Sequence, residues 1–319
     1  MAHELFTNAQ GKTSMAYAGN IRPWHGLGQE LPINAPIEVW EEEAGMNWNI
    51  KPIPVKYDFN GEEKEFEGKV VLSRSDSGEA LSIVSDSYKI VQPKDVLHFF
   101  SDIVSEAGLR LDTAGVLFGG RRFWAMAKAN DLILSNGDKF NGNILLSTSC
   151  DGSIATQASF VATRVVCNNT LTIALNKEAT NKVKVSHRMH FNPTAIKQQM
   201  GLIDEAWETF KDNVFTLQSI KLTDNDALKF VQKVIASDVA DIKDPELRQI
   251  GKVMGLYTGK GMGSMSCYGN AYGLMNAFTE HVDHHGSQHN DSSRLWNTFH
   301  GKGSDLKVEV YNELLNIAA

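Results

Sequence analysis

From Leu109 to Leu175 the apolar positions follow the short period of extended chain, interrupted at Gly119-Gly120 and at Asp151-Gly152. Both dipeptides supply the positive φ angles that tight hairpin turns need, so this stretch predicts an antiparallel meander. On either side the period lengthens. Val96, Leu97, Phe99, Phe100, Ile103 and Val104 form a broad apolar stripe on a helix opened by Pro93 and stopped at Gly108. Asn192 is a good N-cap with Pro193 in the first turn, and Ile196, Met200, Ile203, Trp207, Phe210 and Val214 recur at 4-3-4-3-4 spacing. That is one buried stripe on a long helix. From Thr223 onward the pattern is helical over 224–240, 245–257, 268–285 and 304–318, with loops at 259–263 and 286–293.

The N-terminal part is less regular. Residues 1–36 read as an irregular arm anchored by Trp24. A short helix follows over 37–44, then strands near 48–59 and 69–74 with an Asn60-Gly61 turn signal between them, and a strand over 81–91. The whole is an α+β chain: an antiparallel β meander crossed by helices, with a helical C-terminal third. It divides into an arm and small α/β region (1–68), a sheet-plus-helix core (69–218) and a helical region (219–319).

Composition narrows the setting. With 319 residues, 42% of them hydrophobic and 22% charged, the chain has ample material for a buried core. No run approaches the roughly 18 apolar residues of a membrane helix. Met1-Ala2-His3-Glu4-Leu5-Phe6-Thr7 has neither a basic leader nor an apolar run, so no secretion signal is expected. Three scattered cysteines do not make a disulfide framework. A cytoplasmic protein without a membrane partner is the expectation.

Net charge is −7, which argues against binding duplex DNA through overall basicity. The charge is segregated, however. Residues 37–67 carry nine Asp/Glu against three Lys, whereas 161–199 carry six Lys/Arg against Glu178 alone. A basic surface on an acidic body suits a polyanion. By strand alternation Arg121 and Arg122 leave the Gly-Gly turn on opposite faces, and Arg122, Trp124 and Lys128 share one. Cations beside a ring are the grammar of single-strand binding, although Trp124 reads better as core. Arg164-Val165-Val166-Cys167-Asn168-Asn169-Thr170-Leu171 adds a cation and two amides, with Cys167 a buried structural thiol. Lys182, Lys184 and Arg188 extend the basic set along a further strand, solvated lysines being the plainer reading.

Two other patterns compete. His281 and His285 stand four apart on one helix face, with His284, His289 and Asp283 nearby, a spacing able to ligate zinc. No glutamate lies between the pair, and a solvated helix end is the plainer reading. Gly259-Lys260-Gly261-Met262-Gly263-Ser264 has phosphate-loop composition without Walker spacing.

Taken together, Pro23-Trp24-His25-Gly26-Leu27-Gly28, Ser87-Tyr88-Lys89-Ile90-Val91-Gln92-Pro93, the string 164–171, Asn276-Ala277-Phe278-Thr279-Glu280-His281-Val282-Asp283-His284 and Gly301-Lys302-Gly303-Ser304-Asp305-Leu306-Lys307 resemble the phage/plasmid-like family called domain of unknown function 932. The order helix, antiparallel strands, long helix is similar to the core of Redβ/RecT-type single-strand annealing proteins, a fold-level analogy. The resemblance implies a phage or plasmid setting in a bacterial cell. It also implies ATP-independent binding and annealing of single-stranded DNA by a homo-oligomeric ring or filament, with no cofactor and no enzymatic activity. Arg121, Arg122, Lys128, Arg164, Asn168, Asn169, Lys182, Lys184 and Arg188 are the expected contacts. The alternatives are a metal-binding enzyme or zinc-stabilised module using His281, His285 and His289, and a regulatory or counter-defence protein that contacts a host protein through the acidic 37–67 region.

Overall fold

A computed structural model describes residues 13–19, 28–107, 110–134, 137–164, 169–173, 183–185, 203–286 and 291–317. In chain order the first half contains β1 (Met15–Ala18), β2 (Gln29–Leu31), α1 (Ile37–Glu43), β3 (Ile50–Phe59), β4 (Glu62–Arg74), β5 (Ala80–Ser85), α2 (Pro93–Ala107), β6 (Arg110–Leu117) and β7 (Arg122–Ile133). There follow β8 (Lys139–Ser149), β9 (Thr156–Arg164), β10 (Asn169–Ile173), β11 (Val183–Val185), α3 (Ile203–Ser219), α4 (Asp224–Ile235), α5 (Asp244–Gly255), α6 (Ala271–Glu280), α7 (Asp291–Phe299) and α8 (Lys302–Asn316). The fold is α+β, with the helical C-terminal region that the longer apolar period predicts.

The meander becomes the centre of an eight-stranded sheet in the order β10-β9-β8-β7-β6-β1-β2, with β11 also paired to β9. Alternation sorts its two faces. Phe123, Ala125 and Ala127 lie beside Val116 and Ala114 on one flank, and beside Ile144, Leu146, Ala158 and Phe160 on the other. All are buried in the main core. Against this face pack Val96, Leu97, Phe99 and Phe100 of α2 and the stripe Trp207, Phe210, Val214 and Leu217 of α3. Trp207 meets Phe160 edge-on at 5.4 Å and Phe210 meets Phe140 at 5.4 Å. Full burial of side chains this size contributes about 1.5–3 kcal/mol each, so the stripe alone fixes the helix on the sheet. The opposite face carries a smaller cluster of Met15, Leu117, Trp124, Met126, Leu145 and Val161, capped by Phe299 from α7. Trp124 is therefore core.

Several expectations are corrected. The irregular arm contributes two strands: β1 pairs with β6 and, in parallel, with β2, so part of it is built into the main sheet. Trp24 lies outside the described residues, as does Gly108. β4 is a thirteen-residue strand running through positions 68 and 69, and Gly68 (φ 76°) stands in the stretch where its register with β3 shifts. β5 stops at Ser85 instead of Val91, because a turn closes there with Tyr88 N–H donating to Ser85 O at 3.0 Å. α4 ends at Ile235, since Ser237 turns to give its N–H and hydroxyl to Glu246 at the start of α5. α7 begins within the 286–293 stretch read as loop, and α5 and α6 each run on into a wide π-turn, Leu256–Lys260 and His281–His285. Of the expected long helix, residues 192–202 lie outside the described part.

The C-terminal helices are tied by a buried ion pair. Lys307 Nζ donates to Asp283 Oδ1 at 2.6 Å and to Thr298 O at 2.9 Å, joining α8, the second π-turn and α7. Burial pulls the Lys307 ammonium below its ordinary range, and the Asp283 carboxylate opposes that shift.

Candidate nucleic-acid interface at one end of the sheet

The Gly-Gly hairpin is wider than a two-residue turn. Leu117 pairs with Arg122, leaving Phe118, Gly119, Gly120 and Arg121 as the connection. Phe118, Gly119 and Gly120 all have positive φ (53°, 68° and 104°), and for a phenylalanine this is strained. Gly120 is required twice over, because a Cβ there would stand 2.8 Å from Arg74 Nη1 and 3.1 Å from the Trp48 ring. Arg74 stacks on Trp48 at 4.0 Å, donates to Gly119 O at 3.4 Å and is paired with Asp76 at 2.7 Å.

On the other side of the turn stands a second arginine–aromatic stack. The Arg122 guanidinium lies 4.3 Å from the Phe118 ring and 4.3 Å from the Trp296 ring of α7, and those rings meet edge-on at 6.3 Å. Its Nε donates to Ser153 Oγ at 3.0 Å and sits 3.8 Å from Asp151 Oδ2, both in the Asp151-Gly152 turn. The two turns marked by glycine in the sequence are thus joined through one side chain. Burial lowers the Arg122 pKa, and the Asp151 charge works against that. Burial also opposes ionisation of Asp151, but hydrogen bonds from Ser153 and the Arg122 charge hold its carboxyl below the usual range. Phe118, Arg122 and Trp296 are half-buried and Arg121 is exposed, so this cation–aromatic group meets solvent.

Behind it the same sheet face is polar. His300 bridges Ser147 Oγ (2.9 Å) and Gln157 Nε2 (3.1 Å), with its ring 4.3 Å from that of Trp296. Thr113 Oγ1, Trp124 Nε1, Asn141 Oδ1 and Ser159 Oγ are buried on this face without a hydrogen-bond partner among the described residues. Sequence reasoning missed Phe118, Trp296 and His300. The aromatic spacing Trp296-Asn297-Thr298-Phe299-His300 was the available signal, hidden by reading the segment before it as loop.

The other expected contacts are distributed. Lys128 lies six residues further along β7, at 2.9 Å from Asp131, which Lys139 also holds at 3.0 Å. Burial opposes ionisation of Asp131, but both lysines hold its pKa below the ordinary value. Arg164 ends β9 with its backbone opposite Asn169 on β10, so the described residues of the 164–171 string pair at the end of the sheet remote from Arg122. Lys184 on β11 stands opposite Gln157, in the row Trp124, Ser147, Gln157, Lys184 that runs across the sheet two residues from Arg122. Asn168, Lys182 and Arg188 lie outside the described residues.

The histidine spacing fares differently. Asp283 is engaged by Lys307, and among the described residues no group of three His, Cys, Asp or Glu side chains is arranged to hold a metal ion. His289 lies outside them. His281 is drawn inward, where burial first and then the charges of Lys252 and His285 push its pKa down to about 4. Cys150 and Cys267 are buried, and burial pushes the Cys150 thiol up to about 12, which suits packing and not nucleophilic chemistry. Cys167 lies outside the described residues. No helix among the described residues is long and apolar enough to cross a membrane.

Strands β5 to β11, helices α2 to α7 and the 164–171 string fall inside one family match, to Domain of unknown function (DUF932), over residues 80–299. The chain belongs to that family. No curated protein and no solved structure matches it. The DUF932 match thus takes in Arg122, Ser147, Gln157 and Trp296 together and stops one residue short of His300.

Proposed function

We propose that this DUF932 protein binds single-stranded DNA, without ATP, at the hairpin end of its large sheet, and as a homo-oligomer anneals complementary strands. One observation carries the reading. Arg122 is held against the rings of Phe118 and Trp296 beside the exposed Arg121, a pairing of cation and aromatic that serves phosphate and base at once. The row of strand positions ending at Lys184 extends the path laterally. Arg121 and Arg122 are the principal contacts, and Arg164, Asn168, Asn169, Lys182, Lys184 and Arg188 are the further ones to test.

The experiment is fluorescence anisotropy of a labelled single-stranded oligonucleotide against salt. Wild type should bind with a steep salt slope, and Arg121→Ala/Arg122→Ala should lose about tenfold or more at low salt. Annealing of complementary strands without ATP should fall in parallel. Unchanged affinity in the double variant overturns the reading.

A second reading has its own observation. The β3–β4 ribbon leaves Tyr57, Phe59 and Phe66 about half exposed (47%, 55% and 53%), and strand pairing puts them on one face. An apolar ribbon face within the acidic 37–67 region suits a protein partner. Co-purification that survives nuclease treatment and is lost in Tyr57→Ser/Phe59→Ser/Phe66→Ser would support it.

A further inference from the structure

The two segments left unused above, the glycine-rich loop and the histidine run, come together in space. Each follows a helix that ends in a π-turn, α5 into Leu256–Lys260 and α6 into His281–His285. Wide turns of this kind recur at functional sites because they re-aim side chains that a regular helix would hold in register. Here they frame a cavity of about 750 Å³. That volume lies within the range of small-molecule sites, roughly 300–1,000 Å³.

Its chemistry is one-sided. Arg248, Gly251, Lys252 and Gly255 lie at i, i+3, i+4 and i+7 on α5 and so share one face, which lines the cavity. Lys260, His284 and His285 come from the two π-turns. Arg248, Lys252 and Lys260 make no ion pair among the described residues, unlike Arg74, Arg122 and Lys128. The single carboxylate of the lining, Glu280, is buried and already accepts the Met262 N–H at 3.0 Å, with His285 Nε2 3.7 Å away. Three uncompensated cations around one engaged carboxylate leave the cavity positive.

The glycines make room there. Gly251 has no heavy atom within 4 Å of where a Cβ would stand, so a side chain would project into open space. A helical glycine costs about 1 kcal/mol relative to alanine, and two on one helix face are accepted here where that face lines a cavity. Gly261 brings the loop against Leu256 O, which a Cβ would approach to 2.7 Å. Leu256 and Met262 supply apolar wall beside the cations.

We propose that this cavity binds a phosphomonoester group, with Arg248, Lys252 and Lys260 neutralising its charge and the Gly251 floor giving it space. The group has two sources, a phosphorylated small molecule or the phosphorylated end of a nucleic-acid strand. The proposal does not depend on the sheet-end reading, because no residue is shared.

The test is calorimetric titration of the full chain with adenosine monophosphate, inorganic phosphate and adenosine. The two phosphates should bind and adenosine should not. Lys252→Ala/Lys260→Ala, at exposed positions, should weaken adenosine monophosphate about tenfold or more through loss of two charge-assisted contacts. Gly251→Leu, whose Cβ would meet no heavy atom within 4 Å, places a side chain on the floor and should abolish binding. Arg121→Ala/Arg122→Ala should leave it unchanged, which separates this site from the sheet end. An oligonucleotide preferred with a terminal phosphate over one with a terminal hydroxyl identifies the strand end as the source, and equal affinity for the two identifies the small molecule. Binding of none of the phosphates, or binding indifferent to both the lysine and the Gly251 substitutions, overturns the proposal.

Discussion

The hairpin end of the sheet and the cavity between the two π-turns contain the same kinds of residue, glycines beside arginine and lysine, and treat them in opposite ways. At the sheet end each described, half-buried or buried arginine is matched: Arg74 by Asp76 and Trp48, Arg122 by Asp151, Phe118 and Trp296. In the cavity Arg248, Lys252 and Lys260 have no acidic partner among the described residues, and the local carboxylate is held by a backbone N–H. A cation that is stacked and hydrogen-bonded presents its flat face and a fixed position. One that is unpaired presents uncompensated charge. The first arrangement suits a polymer that must be registered by stacking, the second a small anion.

The strongest way to break the contrast is to disturb the frame of the cavity. Lys307→Met takes from the buried Asp283 carboxylate the cation that balances its charge and should cost about 3–5 kcal/mol, because no water replaces the lost ammonium. Urea unfolding followed by far-ultraviolet circular dichroism measures it. Adding Asp283→Leu should recover part of the loss. If the single variant costs less than 1 kcal/mol, the pair does not hold the C-terminal helices.

Next comes Trp296→Ala, which removes the ring against Arg122 and also the one against His300. Truncation of a half-buried tryptophan should cost about 2–3 kcal/mol, somewhat below the full core value. Single-strand affinity should fall with it, whereas adenosine monophosphate binding should not. A loss of stability with intact oligonucleotide affinity would make the stack purely structural.

How much of this was legible in the sequence follows from the range of the forces involved. Glycine dipeptides report local φ, so both hairpins of the meander were readable, and so was the α3 stripe from Trp207 to Val214. Where α4 stops depends on hydrogen bonds from outside the segment, from Ser237 to Glu246. Charge compensation is longer in range still. Nothing near Lys128 in the pattern of alternation announces that Asp131 and Lys139 close on it across a register shift, and nothing near Gly259 announces His285. Residue type was visible, and pairing was not.

A titration sharpens the contrast further. His281 stands against Lys252 and His285 with its pKa depressed to about 4, whereas in the unfolded chain it returns to the ordinary value near 6.5. The unfolded state therefore takes up the proton first as pH falls. Stability from this site is whole above about pH 6.5 and is lost progressively toward pH 4, by an amount on the order of 3 kcal/mol. His281→Phe should flatten the stability profile in that window. An unchanged slope would show that His281 is not held neutral by its surroundings.

The smallest expected effect is the most discriminating for the sheet. Lys128→Ala removes one of two lysines from Asp131, and that carboxylate is partly exposed and still held by Lys139. Solvent screening limits such a pair to below about 1 kcal/mol, so unfolding should barely change. Because its ammonium is committed to Asp131 and stands six residues along β7 from Arg122, oligonucleotide affinity should fall far less than in the Arg121→Ala/Arg122→Ala variant. A drop as large as that of the arginine pair would mean that Lys128 leaves Asp131 when a strand binds. The interface would then run the length of β7 and take in the end of the sheet where Arg164 and Asn169 pair.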